Sequence, residues 1–150
     1  MENNIQKFDR LVALIFADLY KNFPVKTHVS VYTLFDCKES GWWDKGVYHE
    51  PEDLTKADQE FYFHTVKWLI GAGYVIGSIE HHHKSSITLS MKGLQLLKSV
   101  PNSLDSSESL GDQLLSVISS GAKESAAQLV SKALSFDNVI TQVGNLFTST

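Results

Sequence analysis

Residues 61–100 read FYFHTVKWLIGAGYVIGSIEHHHKSSITLSMKGLQLLKSV and carry the clearest signal of the fold. The first part of this stretch places apolar residues at helical spacing, and the middle part alternates apolar and polar residues as a strand does. Gly71 and Gly73 end the first helix, because glycine readily adopts the positive φ of a helix C-terminus. The polar tip HHHKSS separates two short strands, near residues 74–80 and 87–89. The stretch therefore predicts a helix, a β-hairpin and a helix, with five buried side chains: Trp68, Leu69, Ile76, Ile87 and Leu89.

Single residues mark breaks and ends of the predicted elements in this stretch. The strand alternation breaks at Gly77 and Ser78, and a glycine inside a strand pattern often marks a β-bulge. Ser90 is placed to cap the last helix, residues 91–100, and Pro101 ends that helix.

The chain before this stretch predicts one long helix and a short strand. Apolar residues within 5–23 recur on one helical face, and Pro24 ends that helix. The segment VKTHVSV, residues 25–31, alternates apolar and polar residues, which suits a strand. Ser30 is also placed to cap a short helix over residues 31–37, so a strand followed by a helix is the expected order.

A long connection, KESGWWDKGVYHEPED, occupies residues 38–53. Its two glycines and its proline predict a loop, and the loop is longer than most connections inside a small domain. Connections of this length are more often functional than short ones. Asp53 is expected to cap the next helix, residues 54–70.

The chain has 150 residues, of which 43% are hydrophobic, which is enough for one domain with an appendage. After Pro101 the composition changes to a Ser- and Asp-rich linker, residues 101–109. Weakly amphipathic helical segments follow near residues 110–118, 122–134 and 139–147. Their apolar faces are too small for an independent core. They are expected to pack on the preceding domain or to pair between two chains, and a homodimer through these C-terminal helices is the preferred alternative.

Charge and cysteine content narrow the choice of partner and compartment. The net charge of −4 and the pI near 5.8 give no strong field to attract nucleic acid or an anionic membrane. Cys37 is the lone cysteine, which excludes an internal disulfide. The polar N-terminus has no signal-peptide pattern, and no apolar run is long enough to span a bilayer. The expected location is the cytoplasm, without a membrane partner.

The order of a helix, KWLIGAGYVIG, a polar tip and ITLSMKGLQLL resembles the wing region of winged-helix proteins. In that family an arrangement of the form "L..LGYI……ITLT.KG…L" is common. The resemblance implies an α+β fold, with a winged-helix-like domain over residues 4–100, a linker over 101–109 and a helical C-terminal extension over 110–150. The positions that match the family pattern are Trp68, Leu69, Gly73, Tyr74, Ile87, Thr88, Leu89, Lys92, Gly93 and Leu96.

Two departures from the family pattern count against DNA binding. Winged-helix DNA binders usually join their second and third helices by a tight turn, whereas residues 38–53 intervene here. The helix that resembles the recognition helix also opens with three acidic residues: Asp53, Asp58 and Glu60.

Three lysines are the candidate DNA contacts: Lys56 and Lys67 on the third helix and Lys84 on the wing. Residues 1–100 carry 11 basic and 12 acidic side chains, and Arg10 is the single arginine of the chain. DNA affinity increases with the number of phosphates that are neutralised, and arginine is the commonest reader of guanine. The sequence therefore predicts weak DNA binding without sequence preference.

No catalytic residue, metal site or cofactor is expected. His81 and His83 would point the same way in a strand, which leaves two imidazoles where zinc sites use three or four ligands. A polar wing tip is the preferred interpretation of these histidines. Cys37 has Lys38 as its one cationic neighbour in sequence and lacks the base that activates a nucleophile.

Trp42, Trp43 and Tyr48 are the candidate protein-binding residues, because tryptophan and tyrosine are enriched in interface hot spots. Alternatively, one tryptophan folds back on the core and the other stays exposed. The sequence thus predicts a non-enzymatic binding module that favours a protein partner, of the immunity, antitoxin or adaptor type, contacted through residues 38–53. The alternative is a dimeric winged-helix transcriptional regulator that binds DNA.

Overall fold

The computed structural model of the protein describes residues 2–80, 84–100 and 108–148, with side chains described up to residue 135. Within these residues the fold is α+β, with six helices and two small antiparallel sheets, which confirms the predicted class. The helices are α1 (Asn4–Asn22), α2 (Val31–Leu34), α3 (Lys56–Gly71), α4 (Met91–Lys98), α5 (Leu110–Ser119) and α6 (Lys123–Thr148). The strands are β1 (Trp42–Asp44), β2 (Val47–His49), β3 (Val75–Ile79) and β4 (Ser85–Leu89).

Helix α1 forms the centre of the core. A capping box closes its first turn: the Asn3 side chain accepts a hydrogen bond from the Gln6 N–H, and the Gln6 side chain accepts one from the Asn3 N–H. The other five helices and strand β4 all contact α1. The amphipathic helix predicted for residues 5–23 is therefore confirmed. Its buried face consists of Leu11, Val12, Ala13, Ile15, Phe16, Ala17 and Leu19.

Helix α3 begins later than predicted, because its N-cap residue is Thr55 and not Asp53. The Thr55 hydroxyl accepts a hydrogen bond from the Asp58 N–H at 3.0 Å. The Asp53 carboxylate instead accepts a hydrogen bond from the Lys38 N–H at 3.1 Å and so joins the two ends of residues 38–53. Aspartate and threonine both favour the N-cap position. Here the Asp53 side chain is bonded to the Lys38 N–H, and Thr55 caps the helix.

Strands β3 and β4 form the hairpin that residues 61–100 predicted, and helix α4 follows it. The pairing runs without interruption along all five residues of each strand, so the bulge predicted at Gly77 and Ser78 is wrong. The glycine serves a different purpose. Gly77 has a φ of +124°, and a Cβ atom at this position would collide with the carbonyl oxygen of Ser86 on the paired strand.

Two of the five side chains predicted to be buried are not: Trp68 and Ile76 are each 50% exposed. The core side of β3 carries Val75 and Ile79, so the alternation of side chains places Ile76 on the opposite face. Trp68 lies at the edge of the core rather than within it. The other three are buried as predicted: Leu69, Ile87 and Leu89.

Residues 25–31 pair with the sheet at a single position, whereas a whole strand was predicted there. They contribute a single bridge, in which Thr27 exchanges backbone hydrogen bonds of 2.8 and 3.2 Å with Ile87. The helix predicted for residues 31–37 is confined to the four residues of α2, and the chain turns away at Asp36, which has a φ of +55°. An extended segment followed by a short helix is thus present, but the strand is not.

Helices α5 and α6 pack on α1 within the same chain. The expected packing of these helices on the preceding domain is therefore present. Helix α6 is one continuous backbone helix, where two separate segments near 122–134 and 139–147 were predicted. Most of the predicted linker, residues 101–107, lies outside the described residues. The side chains that join the common core are Leu110, Leu114, Ala126 and Val130.

Candidate functional site

Residues 38–53 contain a β-hairpin where the sequence predicted a loop. Strands β1 and β2 pair antiparallel through three residue pairs. The two residues between them, Lys45 and Gly46, both have positive φ, of 50° and 80°. Positive φ at both central positions is the requirement of the type I′ turn, whose twist matches that of paired strands. The sequence DKGV thus specifies a tight hairpin turn, although the strands are too short to show a period.

The hairpin presents different side chains on its two faces. Trp42 pairs with His49, and the two rings stack with centroids 5.6 Å apart and an interplanar angle of 19°. Trp43 pairs with Tyr48 on the opposite face, with ring centroids 5.2 Å apart. Cross-strand aromatic pairs of this kind stabilise short hairpins. The two neighbouring tryptophans therefore point in opposite directions.

Tyr48 attaches the hairpin to the body of the protein. Its hydroxyl forms a short hydrogen bond with the hydroxyl of Tyr32 in α2. Gly41 leaves room for this contact, because a Cβ atom there would collide with both phenol groups. Burial is the main cause that raises the pKa of Tyr32 above its usual range, and hydrogen bonds with Tyr48 and Glu50 raise it further. The Tyr32 phenol is therefore protonated at neutral pH and can take part in this hydrogen bond.

The two tryptophans are exposed to different degrees. Trp43 is 72% exposed and Trp42 is 45% exposed, while Tyr48 is partly buried. Val47, which had not been singled out from the sequence, is 57% exposed and lies on the same face as Trp42. The structure thus brings Trp42, Trp43 and Tyr48 together in one hairpin, with the first two available for contact and the third in a positioning role.

The segment that carries the hairpin is acidic. Residues 38–53 contain five carboxylates and two lysines. Asp44 is exposed and lies beside Trp42 on one face of β1, two residues along the strand. The aromatic side chains are therefore presented in a negatively charged setting.

Cys37 lies at the start of this acidic segment. Burial raises the pKa of its thiol, and the neighbouring Asp53 carboxylate raises it further. A thiol in such surroundings stays protonated at neutral pH and is a poor nucleophile. The chemistry of Cys37 therefore fits a structural role.

The candidate DNA contacts on α3 lie on one side of the helix. Lys56 and Lys67 are both exposed and are eleven residues apart, which is close to three full turns, or about 16 Å along the axis. Glu60 is exposed one turn after Lys56. Asp58 lies on another side of the helix, where it forms an ion pair with Lys7 at 2.7 Å. Asp58 therefore lies off the side of α3 that carries the two lysines, whereas Glu60 lies on that side.

Lys84 is exposed, directly precedes β4 and so lies on an element separate from α3. The histidines His81 and His83 lie outside the described residues. Among the residues that the structure does describe, no group of three or more His, Cys, Asp or Glu side chains is arranged to hold a metal ion.

Trp68 is a surface aromatic that sequence reasoning assigned to the core. Its ring meets Phe8 edge-on, with centroids 5.1 Å apart, and stacks on Tyr74 at 6.4 Å. The Lys92 ammonium lies 4.2 Å from the centre of the Tyr74 ring. No signal in the helical period distinguishes such an edge position from a core position, because both fall on the apolar side of α3.

Comparisons of the chain with protein-family models, with curated proteins and with solved structures find no match. None of the helices within residues 2–80, 84–100 and 108–148 combines the length and apolar character needed to cross a membrane.

Proposed function

We propose that the protein is a non-enzymatic binding module that holds a protein partner through the hairpin of β1 and β2. The observation that carries this proposal is the exposure of two tryptophans, Trp42 and Trp43, on a hairpin whose backbone is fixed by a tight turn and by the Tyr48–Tyr32 hydrogen bond. Tryptophan is among the residues most enriched in interface hot spots. Immunity, antitoxin or adaptor functions are the classes of role that such a module would fill.

Trp43 is the more exposed of the two tryptophans and offers the larger gain of free energy when a partner covers it. A tryptophan side chain buries roughly 200 Å² when it is enclosed, so covering its exposed part contributes roughly 3 kcal/mol of apolar burial. A partner gains most of this free energy only if little ordering is needed on binding. The pairing of Trp43 with Tyr48, and the attachment of Tyr48 to α2, supply that ordering in advance.

The order of elements supports a winged-helix-like body over residues 4–100. Helix α1, the bridge at Thr27, helices α2 and α3, the β3–β4 hairpin and α4 follow one another as in that family. The aromatic hairpin is then an insertion between the second and third helices, at the place where DNA-binding members have a tight turn. An insertion at this point gives the module a contact surface that the DNA-binding members lack.

A binding experiment with matched variants tests the proposal. A partner isolated with the tagged protein would be purified, and its Kd measured for the wild type and for Trp43→Ala and Trp42→Ala. Loss of a tryptophan anchor is expected to weaken binding by about 2 kcal/mol, or roughly thirtyfold. Met91→Ala is the control, because Met91 is 71% exposed but lies on α4. Equal Kd values for all four proteins would refute the proposal.

A second candidate, a dimeric DNA-binding regulator, is favoured by one observation. Asp58 lies off the face of α3 that carries Lys56 and Lys67 and is paired with Lys7, so that face carries one acidic side chain fewer than the sequence suggests. Glu60 still separates the two lysines, so weak binding without sequence preference is the expectation. Dimerisation through the C-terminal helices would have to use surfaces other than the residues already buried against α1.

Fluorescence anisotropy with duplex DNA at several salt concentrations distinguishes the two candidates. A regulator would bind one sequence tightly, with a steep salt dependence, and would lose affinity in Lys67→Ala but not in Lys98→Ala. Lys98 is an exposed lysine at the end of α4 and serves as the control. A protein-binding module would show weak anisotropy changes with every sequence, and both variants would behave alike.

A further inference from the structure

One face of the aromatic hairpin combines an indole ring with a carboxylate. Trp42 and Asp44 are two residues apart on β1, so their side chains lie on the same face, about 7 Å apart along the strand. Both are exposed. Val47 and His49 pair with them across the hairpin and complete the face. We call these four residues the Trp42 face.

The geometry of the Trp42 face suits a cation with an apolar stem. The stacked His49 ring supports one side of the indole, and Trp42 is still 45% exposed, so indole surface remains for a ligand. Val47 is the diagonal neighbour of Trp42 and offers apolar surface beside it. A guanidinium or ammonium group over the indole would be attracted by the ring and could reach the Asp44 carboxylate at the same time.

The charges around the face select the same kind of ligand. The carboxylates of residues 38–53 outnumber the lysines by five to two, so the segment attracts positive charge. The exposed side of α3 differs, since two lysines and Glu60 occupy it. Charge complementarity therefore assigns a basic partner to the hairpin and not to α3.

We propose that the Trp42 face is a receptor for a basic side chain, arginine ahead of lysine, on an exposed basic segment of the protein partner. This inference rests on the proposed function, because it names the chemistry of the partner that the hairpin holds. Arginine is preferred because its planar guanidinium stacks on an indole while it donates hydrogen bonds to a carboxylate, whereas the lysine ammonium is a more strongly hydrated point charge. Trp43, on the other side of the hairpin, contributes apolar contact outside the Trp42 face.

NMR titration with short peptides tests the inference directly. The probes are a glycine-spaced arginine peptide, a lysine peptide of the same spacing and a glutamate peptide of the same length. The chain has three tryptophans, so the indole N–H signals of Trp42, Trp43 and Trp68 serve as site-specific reporters. The arginine peptide is expected to shift the Trp42 signal most and to leave Trp68 unchanged, with the lysine peptide weaker and the glutamate peptide without effect.

Matched charge variants complete the test. Asp44→Asn is nearly isosteric, and asparagine is well tolerated beside a turn, so the hairpin is expected to persist. Asp44→Asn should weaken the affinity for the arginine peptide about fivefold, which corresponds to about 1 kcal/mol. Glu124→Gln removes the same charge from an exposed position on α6 and should leave the affinity within a factor of two. A Trp42→Phe variant, which keeps an aromatic ring, should retain part of the binding.

Several results would overturn the inference. They are the absence of a Trp42 shift at millimolar arginine peptide, equal shifts for all three peptides, and equal affinities for Asp44→Asn and Glu124→Gln. Failure of the proposed function looks different. If an isolated partner depends on Trp43 but not on Asp44 or salt, the hairpin binds protein and only the basic ligand is wrong. If no partner depends on either tryptophan, the proposed function itself fails.

Discussion

Replacing Ser85 by alanine is expected to lower the free energy of unfolding by about 2 kcal/mol, although the substitution removes a single oxygen atom. Ser85 is buried at the start of β4. Its hydroxyl oxygen accepts a hydrogen bond from the Val29 N–H at 3.0 Å and lies 3.2 Å from the Tyr62 hydroxyl. The Tyr62 hydroxyl also donates to the Val29 carbonyl oxygen at 3.1 Å. This network joins the segment before α2 to α3 and to β4.

The expected magnitude follows from the burial of the network. Alanine at position 85 leaves the Val29 N–H without its side-chain acceptor, and a buried unsatisfied donor costs about 1–3 kcal/mol. Val29 itself is 2% exposed, so water does not readily replace the lost oxygen. The Tyr62 hydroxyl retains the Val29 carbonyl as a partner, so the loss of its contact with Ser85 adds little.

Urea unfolding with a neighbouring serine as the control measures this effect. Ser86 is exposed on the same strand, so Ser86→Ala is expected to change stability by less than about 0.5 kcal/mol. With a slope of about 2 kcal/mol per molar urea, the Ser85→Ala midpoint should fall by about 1 M. If both variants unfold at the same urea concentration with unchanged slopes, the hydrogen-bond network does not stabilise the fold and the reasoning is refuted.

Three further outcomes are expected from single positions. Gly77→Ala should destabilise the protein by more than about 1 kcal/mol in urea unfolding, because of its positive φ and the Ser86 carbonyl, whereas Gly71→Ala, with open space around its Cβ, should be neutral or stabilising. Burial raises the pKa of both Tyr32 and Tyr62 in the folded state, so the unfolded chain releases these protons first. The free energy of unfolding should therefore stay constant below about pH 9 and fall above about pH 10. The fall should be less steep in the Tyr32→Phe variant. The Cys37 thiol, whose pKa burial raises, should react with a disulfide reagent at neutral pH more slowly in the folded protein than in urea, and equal rates would contradict its assigned surroundings.

The sequence predicts the helices and the hairpin of β3 and β4 well because their periods extend over many residues. Residues 5–23 repeat an apolar face over five turns, and residues 61–100 change period twice between glycines. The failures occur where the pattern is ambiguous. Val75 and Ile76 are adjacent apolar residues, and Gly77 carries no side chain, so the alternation of β3 does not reveal which of the two faces the core. That choice is made by the pairing with β4 and by the packing of β4 on α1.

The hairpin at residues 38–53 escaped prediction for a related reason. Its strands have three residues each, so no period is measurable, and the remaining signal is the dipeptide Lys45-Gly46 in the turn. An exposed strand also lacks the apolar alternation that a half-buried strand shows. Two adjacent tryptophans in such a strand look like a single aromatic cluster in the sequence, although the pleat places them on opposite faces.

The separation of the two tryptophans changes what the candidate site requires of a partner. A flat protein surface can cover either the Trp42 face or Trp43, but not both. A partner that uses both tryptophans must therefore enclose the hairpin from two sides. The tether through Tyr48 and Tyr32 then matters as much as the exposed rings, because it holds the hairpin in place while Trp42 and Trp43 remain exposed. The residue that the sequence grouped with the contact tryptophans thus acts by positioning them, and this difference became visible only with the tertiary contact between α2 and β2.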